Sequence, residues 1–282
     1  MKGRSSIRFD DTSSWPPLDA LRTGTGGRRP PPVSDLSGRS IAVSFSSGAT
    51  ARYNFADAST VEFSVKQKSG EAQTVRAACE VFAAGADQYI VHVQPGDGEL
   101  ASRALVLDFQ LRSALATVSQ LDAAPKAGPA VHTKAWPGAI DGRSATAAPA
   151  PTADLVGKRV IYDYGDDQVY EHFYLTPTVF TWLCLSGPEQ GLADTESCMT
   201  YRLRDGVYLF SWQEKVVPCG ASVLLDLNHS QTCGAFLGRG KDPTEVLYFT
   251  WGARVDRVDS ASYPRSWDPA RLPLDQRVPS ET

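Results

Sequence analysis

The sequence predicts an all-β protein made of two small antiparallel barrels in tandem, and three observations carry that prediction. Apolar and polar residues alternate with a period of two through runs of about six residues, each bounded by Gly, Pro, Asp or Asn. Two stretches show the same features in the same order. An Ala/Pro/Gly-rich segment, APKAGPAVHTKAWPGAIDGRSATAAPAPTA, separates them.

Each repeat opens alike, with Leu36-Ser-Gly38-Arg39 in the first and Leu155-Val-Gly157-Lys158 in the second. A short strand and an aromatic strand follow (ARYNF at 51–55, VYEHFY at 169–174), then a Tyr-bearing strand (QYIVHV at 88–93, VYLFSW at 207–212). Both then run to Leu-Asp, as ALVLD at 104–108 and SVLLD at 222–226, so an internal duplication is the natural reading. In the second repeat eight strand-like runs follow one another: RVIYDY, QVYEHFYL, VFTWLCL, SCMTYRL, VYLFSWQE, ASVLLDL, QTCGAFL and EVLYFTW. That count suits an up-and-down barrel just wide enough for one small ligand, although a β-sandwich has similar spacing. QLRSALATVSQ, at 110–120, reads as a helix. The predicted organisation is a flexible tail at 1–33, a first barrel at 34–123, a linker at 124–153, a second barrel at 154–260 and a tail at 261–282. Within the linker, Trp136 and Ile140 are candidates to dock on a barrel.

Composition excludes several classes. The 28 basic and 32 acidic residues nearly cancel and form no basic run, which argues against nucleic acid and anionic membranes as partners. No stretch approaches the ~20 apolar residues of a membrane span. The five cysteines lack CxxC spacing and an odd count without a secretory leader points to reduced thiols in a cytoplasm. The four histidines stand alone, with no HxH, HxxxH or Cys/His cluster, so no metal is called for.

Alternation also says which side chains share a face. In the second repeat it groups Tyr162 with Tyr164, Tyr170 with His172 and Tyr174, Phe180 with Trp182 and Cys184, and Tyr208 with Phe210, Trp212 and Glu214. A cavity for a flat, partly polar molecule is lined this way, with rings and a few directed polar groups. Glu214, in line with three aromatics, is costly to desolvate unless paired, and its pKa is expected to rise toward the range useful for acid–base work. Its alternative is solvation at the barrel mouth or pairing with Lys215. His172 and Glu171 lie on opposite faces of one strand, so only one of them can reach the pocket, and His172 shares the aromatic face. The first repeat has no paired tyrosines in IAVSF and has Pro95 where the second has Glu214, and so reads as a scaffold, with His92 structural.

The stretch 155–239, with EHFYL at 171–175, GLADTE at 191–196, YLFSWQEK at 208–215 and Val217-Pro218, resembles the C-terminal domain of the MoaF family. That family is named from molybdenum-cofactor biosynthesis, and the resemblance, less sharp in the first repeat, covers roughly 36–258. It implies paired lipocalin-like, calycin-type barrels. No GxxxxGK or GxGxxG string accompanies it, so no nucleotide site is expected. More remotely, LVGKRVIYDY at 155–164 and DGVYLFSWQE at 205–214 are similar to phenolic acid decarboxylases, single lipocalin-like barrels that work without a cofactor. This likeness implies that Tyr162 and Tyr164 grip substrate, that Glu214 handles the proton, and that Tyr170 sits beside them. Leu192 stands where those enzymes carry an arginine, which argues against hydroxycinnamate decarboxylation, with Arg202 a candidate replacement.

The expected function is a cofactor-independent isomerase, cyclase or lyase acting on a small aromatic, phenolic or conjugated carbonyl compound, in the manner of secondary metabolism. Glu214, Tyr162, Tyr164 and His172 are the expected catalytic residues. Tyr170, Tyr174, Trp182, Trp212, Phe210, Arg202 and Thr195 are expected to contact substrate, with Thr195 and Glu196 in a loop over the mouth. The alternative is a lipocalin-like protein that binds a small aromatic or hydrophobic compound unchanged. A third reading, an interaction module acting through its Pro-rich tails, rests on the ends alone. Pairing with a second copy of the chain is left open.

Overall fold

A computed structural model describes residues 10–23, 27–68, 71–124, 128–142 and 144–274. The first barrel closes from eight antiparallel strands: β1 (Ser40–Phe45), β2 (Thr50–Phe55), β3 (Thr60–Lys66), β4 (Gln73–Ala83), β5 (Gln88–Val93), β6 (Ala101–Asp108), β7 (Ser113–Leu121) and β8 (Val131–Ile140). After the two-residue strand β9 (Ala150–Pro151) come β10 (Lys158–Gly165), β11 (Gln168–Thr176), β12 (Val179–Ser186), β13 (Ala193–Arg204), β14 (Val207–Gln213), β15 (Cys219–Asp226), β16 (Gln231–Arg239) and β17 (Val246–Ser260). These eight form the second barrel, in the order β12-β11-β10-β17-β16-β15-β14-β13, and the pairing of β12 with β13 closes it. All eight runs read from the second repeat are strands.

Local chemistry fixes the hairpins. Asp166 and Asp167 both take positive φ, at 50° and 62°, between β10 and β11. Left-handed backbone at both central residues matches the right-handed twist of the strands it joins. Inside the second barrel, alternation delivers Tyr162, Tyr164, Tyr170, Tyr174, Phe180, Trp182, Phe210, Trp212 and Trp251 to one core. The first barrel's core is mainly aliphatic, with Ile41, Val43, Val61, Val81, Val91, Leu105 and Leu107 around Tyr53, Phe55 and Phe63. A third apolar cluster joins the outer faces, Phe82, Ile90, Val106 and Leu115 meeting Leu203, Leu209 and Leu224. Beside it Arg204 Nη2 donates to Asp108 Oδ1 at 2.8 Å. All five cysteines are buried, free thiols. No helix among the described residues is long and apolar enough to cross a membrane.

Three expectations are corrected. The segment 110–120 is not helical, because its residues belong to the turn before β7 and to β7 itself. Ala114 and Ala116 face the first barrel's interior while Leu115 faces the second barrel, so both faces are apolar and the period of two disappears. The stretch 124–153 is not simply a linker, because β8 within it pairs with β7 and with β1 and closes the first barrel. Gly138 within it reflects close approach, because a Cβ there would lie 2.9 Å from the Ser44 carbonyl and from Val43 Cγ1 on β1. Trp136 and Ile140 are therefore barrel residues, and the first barrel runs from 40 to 140.

The expected tail at 1–33 is likewise structured where it is described; residues 1–9 and 24–26 lie outside the described residues. Helix α1 (Leu18–Arg22) buries Leu18 and Leu21 in the second barrel's core. Farther along, Arg29 Nη1 donates to Glu80 Oε1 at 2.5 Å and to Thr250 Oγ1 at 3.0 Å, tying the segment to both barrels. At the other end, 261–274 is irregular apart from 3-10 turns at Arg265–Trp267 and Pro269–Arg271, and 275–282 lie outside the described residues.

Candidate functional site

The second barrel encloses a cavity of about 30 Å³, lined by Leu21, Tyr164, Gln168, Tyr170, His172, Trp182, Glu189, Trp212, Glu214 and Phe236. On this measure a water needs ~10–15 Å³, so the space holds about two waters. Its polar centre is a pair of buried carboxyl groups. Glu214, just past the end of β14, accepts a 3.0 Å hydrogen bond from Trp212 Nε1. Glu189 comes from the turn between β12 and β13, and its Oε2 accepts from the Tyr170 hydroxyl at 2.8 Å while Oε1 is buried without a partner. No ion pair reaches either carboxyl among the described residues. The nearby cations are engaged elsewhere: Lys215 pairs with Asp194 and Glu196, and Arg202 Nη2 with Asp154 Oδ1 at 2.5 Å.

Electrostatics follow from that isolation. Burial pushes Glu214 well above the usual carboxylate range; the negative charge of Glu189 adds to the rise and the Trp212 bond opposes it. Burial raises Glu189 to about 7, with the Tyr170 bond working against it. His172 is pushed down to about 3 by burial, so its imidazole is neutral at neutral pH, and its Nδ1 has no partner. The two acids share one enclosure but have different environments, an arrangement that can separate an acid from a base. Burial thus favours the protonated form of Glu214, while Glu189 is raised to about 7.

The residues that alternation grouped share the barrel interior, but not all of them reach the cavity. Tyr164, Tyr170, His172, Trp182, Trp212 and Glu214 line the cavity together. Tyr162 and Tyr174 lie deeper, their hydroxyls bonded to each other at 2.7 Å, and Phe210 is packed in the rings around them. These three are corrected from cavity residues to floor residues. Arg202 is also corrected: its side chain is half exposed at the barrel rim, bound to Asp154, and does not enter the cavity. Thr195 lies in β13 rather than in a loop, exposed on the outer face, whereas its neighbour Glu196 is buried. Glu171 turns outward to Arg159, at 2.6 Å, leaving the inner face to His172.

Two features escaped sequence reasoning. Glu189 sits in Gly187-Pro-Glu-Gln-Gly191, a turn composition that ordinarily faces solvent, so nothing in its local pattern marks it as buried. The other is the plug formed by α1. Leu21 forms part of the cavity wall, and Trp15 meets Trp182 edge-on at 5.9 Å. The only sequence signal is the spacing of Trp15, Leu18 and Leu21, apolar residues at helical intervals in an otherwise polar stretch.

Among solved structures, that of a candidate β-lactamase from Burkholderia vietnamiensis aligns with a TM-score of 0.32 and 11% identity, over 37% of this chain and 95% of that one, too distant to carry any argument. Protein MoaF of Klebsiella aerogenes is 34% identical over 165 residues, 54% of this chain and 63% of that protein, so less than two thirds of that relative is covered. Family models for the MoaF N-terminal domain and the MoaF C-terminal domain match residues 13–123 and 149–261 respectively. With both domain models matched in order along its two barrels, the chain belongs to the MoaF family.

Proposed function

We propose that the second barrel is the active site of a cofactor-independent isomerase, cyclase or lyase that moves a proton on a small aromatic, phenolic or conjugated carbonyl compound. The observation that carries this reading is the Glu189–Glu214 pair, buried in one aromatic enclosure without a cation. A carboxylate kept for stability is normally paired or solvated, because an unpaired buried charge is expensive. Glu189, ionised in part at neutral pH, takes a proton from an activated carbon or hydroxyl, and the protonated Glu214 returns one at a second position. The Tyr164 hydroxyl and the neutral His172 hydrogen-bond the oxygen on which charge develops, while Trp182 and Trp212 hold the ring.

Depth in the barrel separates the tyrosines. Tyr164→Phe is expected to slow turnover about 10- to 100-fold, as loss of one donor at a developing oxyanion does. Tyr162→Phe is expected to leave turnover within about threefold and to cost about 1 kcal/mol of stability from the Tyr174 bond. Steady-state kinetics and urea denaturation of the two variants test this, and equal effects on turnover would contradict the assigned depths.

A substrate larger than two waters reaches the carboxyls only when α1 withdraws. Leu21→Ala is expected to cost about 2–3 kcal/mol in urea denaturation and to speed ligand entry in stopped-flow tryptophan fluorescence. An unchanged entry rate would show that access runs elsewhere.

The functional test is a thermal-shift screen against phenolic acids, aromatic polyketide-like compounds and conjugated carbonyls, with wild type and Glu214→Gln side by side. Ligand present at 100 times its dissociation constant stabilises by about 2.7 kcal/mol, an easily read shift. A compound bound by both proteins and consumed only by wild type is the expected result. A compound bound and left unchanged by both would instead make the chain a lipocalin-like carrier.

A further inference from the structure

The first barrel contains a cavity of about 330 Å³, against about 30 Å³ in the second. Tyr53, Phe63, Val65, Val93, Leu105 and Trp136 give it an apolar wall. One cation enters that wall. Arg103, on β6, faces inward in register with Leu105 and Leu107, and its guanidinium lies 5.4 Å from the centre of the Phe63 ring. Its Nη2 donates to Glu99 Oε1 at 2.7 Å, and Glu99 Oε2 accepts the Gly96 N–H at 3.1 Å, so both oxygens of that carboxylate are engaged. Arg103 Nη1 is buried with no partner at all. An aliphatic core packed to ordinary density leaves neither so large a space nor an unsatisfied guanidinium beside it.

We infer that the first barrel is a second ligand site, taking an apolar, ring-bearing molecule whose uncharged acceptor oxygen, a carbonyl or ester, binds the guanidinium of Arg103. The choice of an uncharged head follows from the charges present. Glu99 already balances Arg103, and the cavity lining supplies no other cation. A ligand carboxylate would bring an uncompensated charge into an apolar enclosure, whereas a carbonyl oxygen fills the open donor position at no such cost. The rings of Tyr53, Phe63 and Trp136 provide faces and edges for an aromatic body. The reading of this barrel as a bare scaffold is thereby replaced, and the inference does not depend on the reaction proposed for the second barrel.

The test uses prodan, a neutral aromatic ketone whose emission reports its surroundings, titrated into the full-length protein. One equivalent is expected to bind with blue-shifted emission. Ala116→Phe, which fills the first barrel's cavity from β7, is expected to weaken binding at least tenfold, and Leu21→Phe, which fills the second barrel's cavity, to leave it unchanged. Arg103→Lys is expected to weaken binding about fivefold. Methyl 2-naphthoate should displace the dye at concentrations at least tenfold lower than 2-naphthoate does. Failure of the dye to bind, or binding insensitive to Ala116→Phe, overturns the site. Displacement favouring 2-naphthoate overturns the uncharged head, and loss of binding in Leu21→Phe moves the ligand to the second barrel. Because Arg103→Lys also loosens Glu99, Ala116→Phe, which leaves that ion pair in place, decides the result if the lysine variant does not fold.

Discussion

Glu214→Gln protein is expected to fold as wild type does and to turn over its substrate at least about 100-fold more slowly, the scale on which a positioned acid or base contributes. Glutamine is close to isosteric, and its amide oxygen can still accept the Trp212 Nε1–H that Glu214 Oε1 accepts at 3.0 Å. What disappears is the transferable proton. Because burial already holds Glu214 well above the ordinary carboxylate range, the substitution removes no stabilising charge. Loss of kcat with an unchanged circular dichroism spectrum is the expected signature. An unaltered kcat would remove Glu214 from the mechanism.

Glu189→Gln is expected to change how stability depends on pH. In the folded chain Glu189 titrates near 7, against an ordinary value of 4.5. The native state therefore holds a proton that the unfolded chain has released. By linkage, its contribution to stability is fully present below about pH 4.5, falls as pH rises, and levels off once pH passes about 7. A rise of that size corresponds to about 3 kcal/mol. Glu214, raised in the same sense, adds to the loss of stability as pH rises. Denaturant titrations at pH 4.5 and pH 8 are expected to show the variant gaining about 3 kcal/mol on wild type between the two conditions. Parallel curves would mean that Glu189 is solvated or paired in solution.

How far the sequence led is best seen at particular elements. The second barrel was legible strand by strand because aromatic residues recur at alternate positions of β10, β11, β12 and β14, a period of two that survives even in β14, which is buried on both faces. The period fades in β7, where Leu115 packs on the second barrel while Ala114 and Ala116 pack inside the first. Strand β8 was hidden by composition: Gly138 and its neighbours are small because β1 passes close by, and small residues resemble a linker when contacts are unknown. At the site, alternation put Tyr162, Tyr164, His172 and Glu214 on the inner face. It carries no information on height along the barrel axis, which is why Tyr162 and Tyr174 proved to be each other's partners. Glu189 was out of reach altogether, since a turn residue folded back into a barrel leaves no periodic trace. The N-terminal plug was equally unreadable as a contact, because Leu18 and Leu21 meet the second barrel across more than a hundred residues of chain.

The most direct test of the central claim, that the buried carboxyl pair moves protons on a bound substrate, is deuterium exchange. Each compound that stabilises the protein is incubated with it in heavy water and followed by mass spectrometry and proton NMR. The account predicts that wild type converts the compound or washes deuterium into one activated position, and that Glu214→Gln binds the same compound and does neither. A compound bound by both proteins and recovered with no more deuterium than in buffer alone would contradict it, and the second barrel would then be a binding site without chemistry.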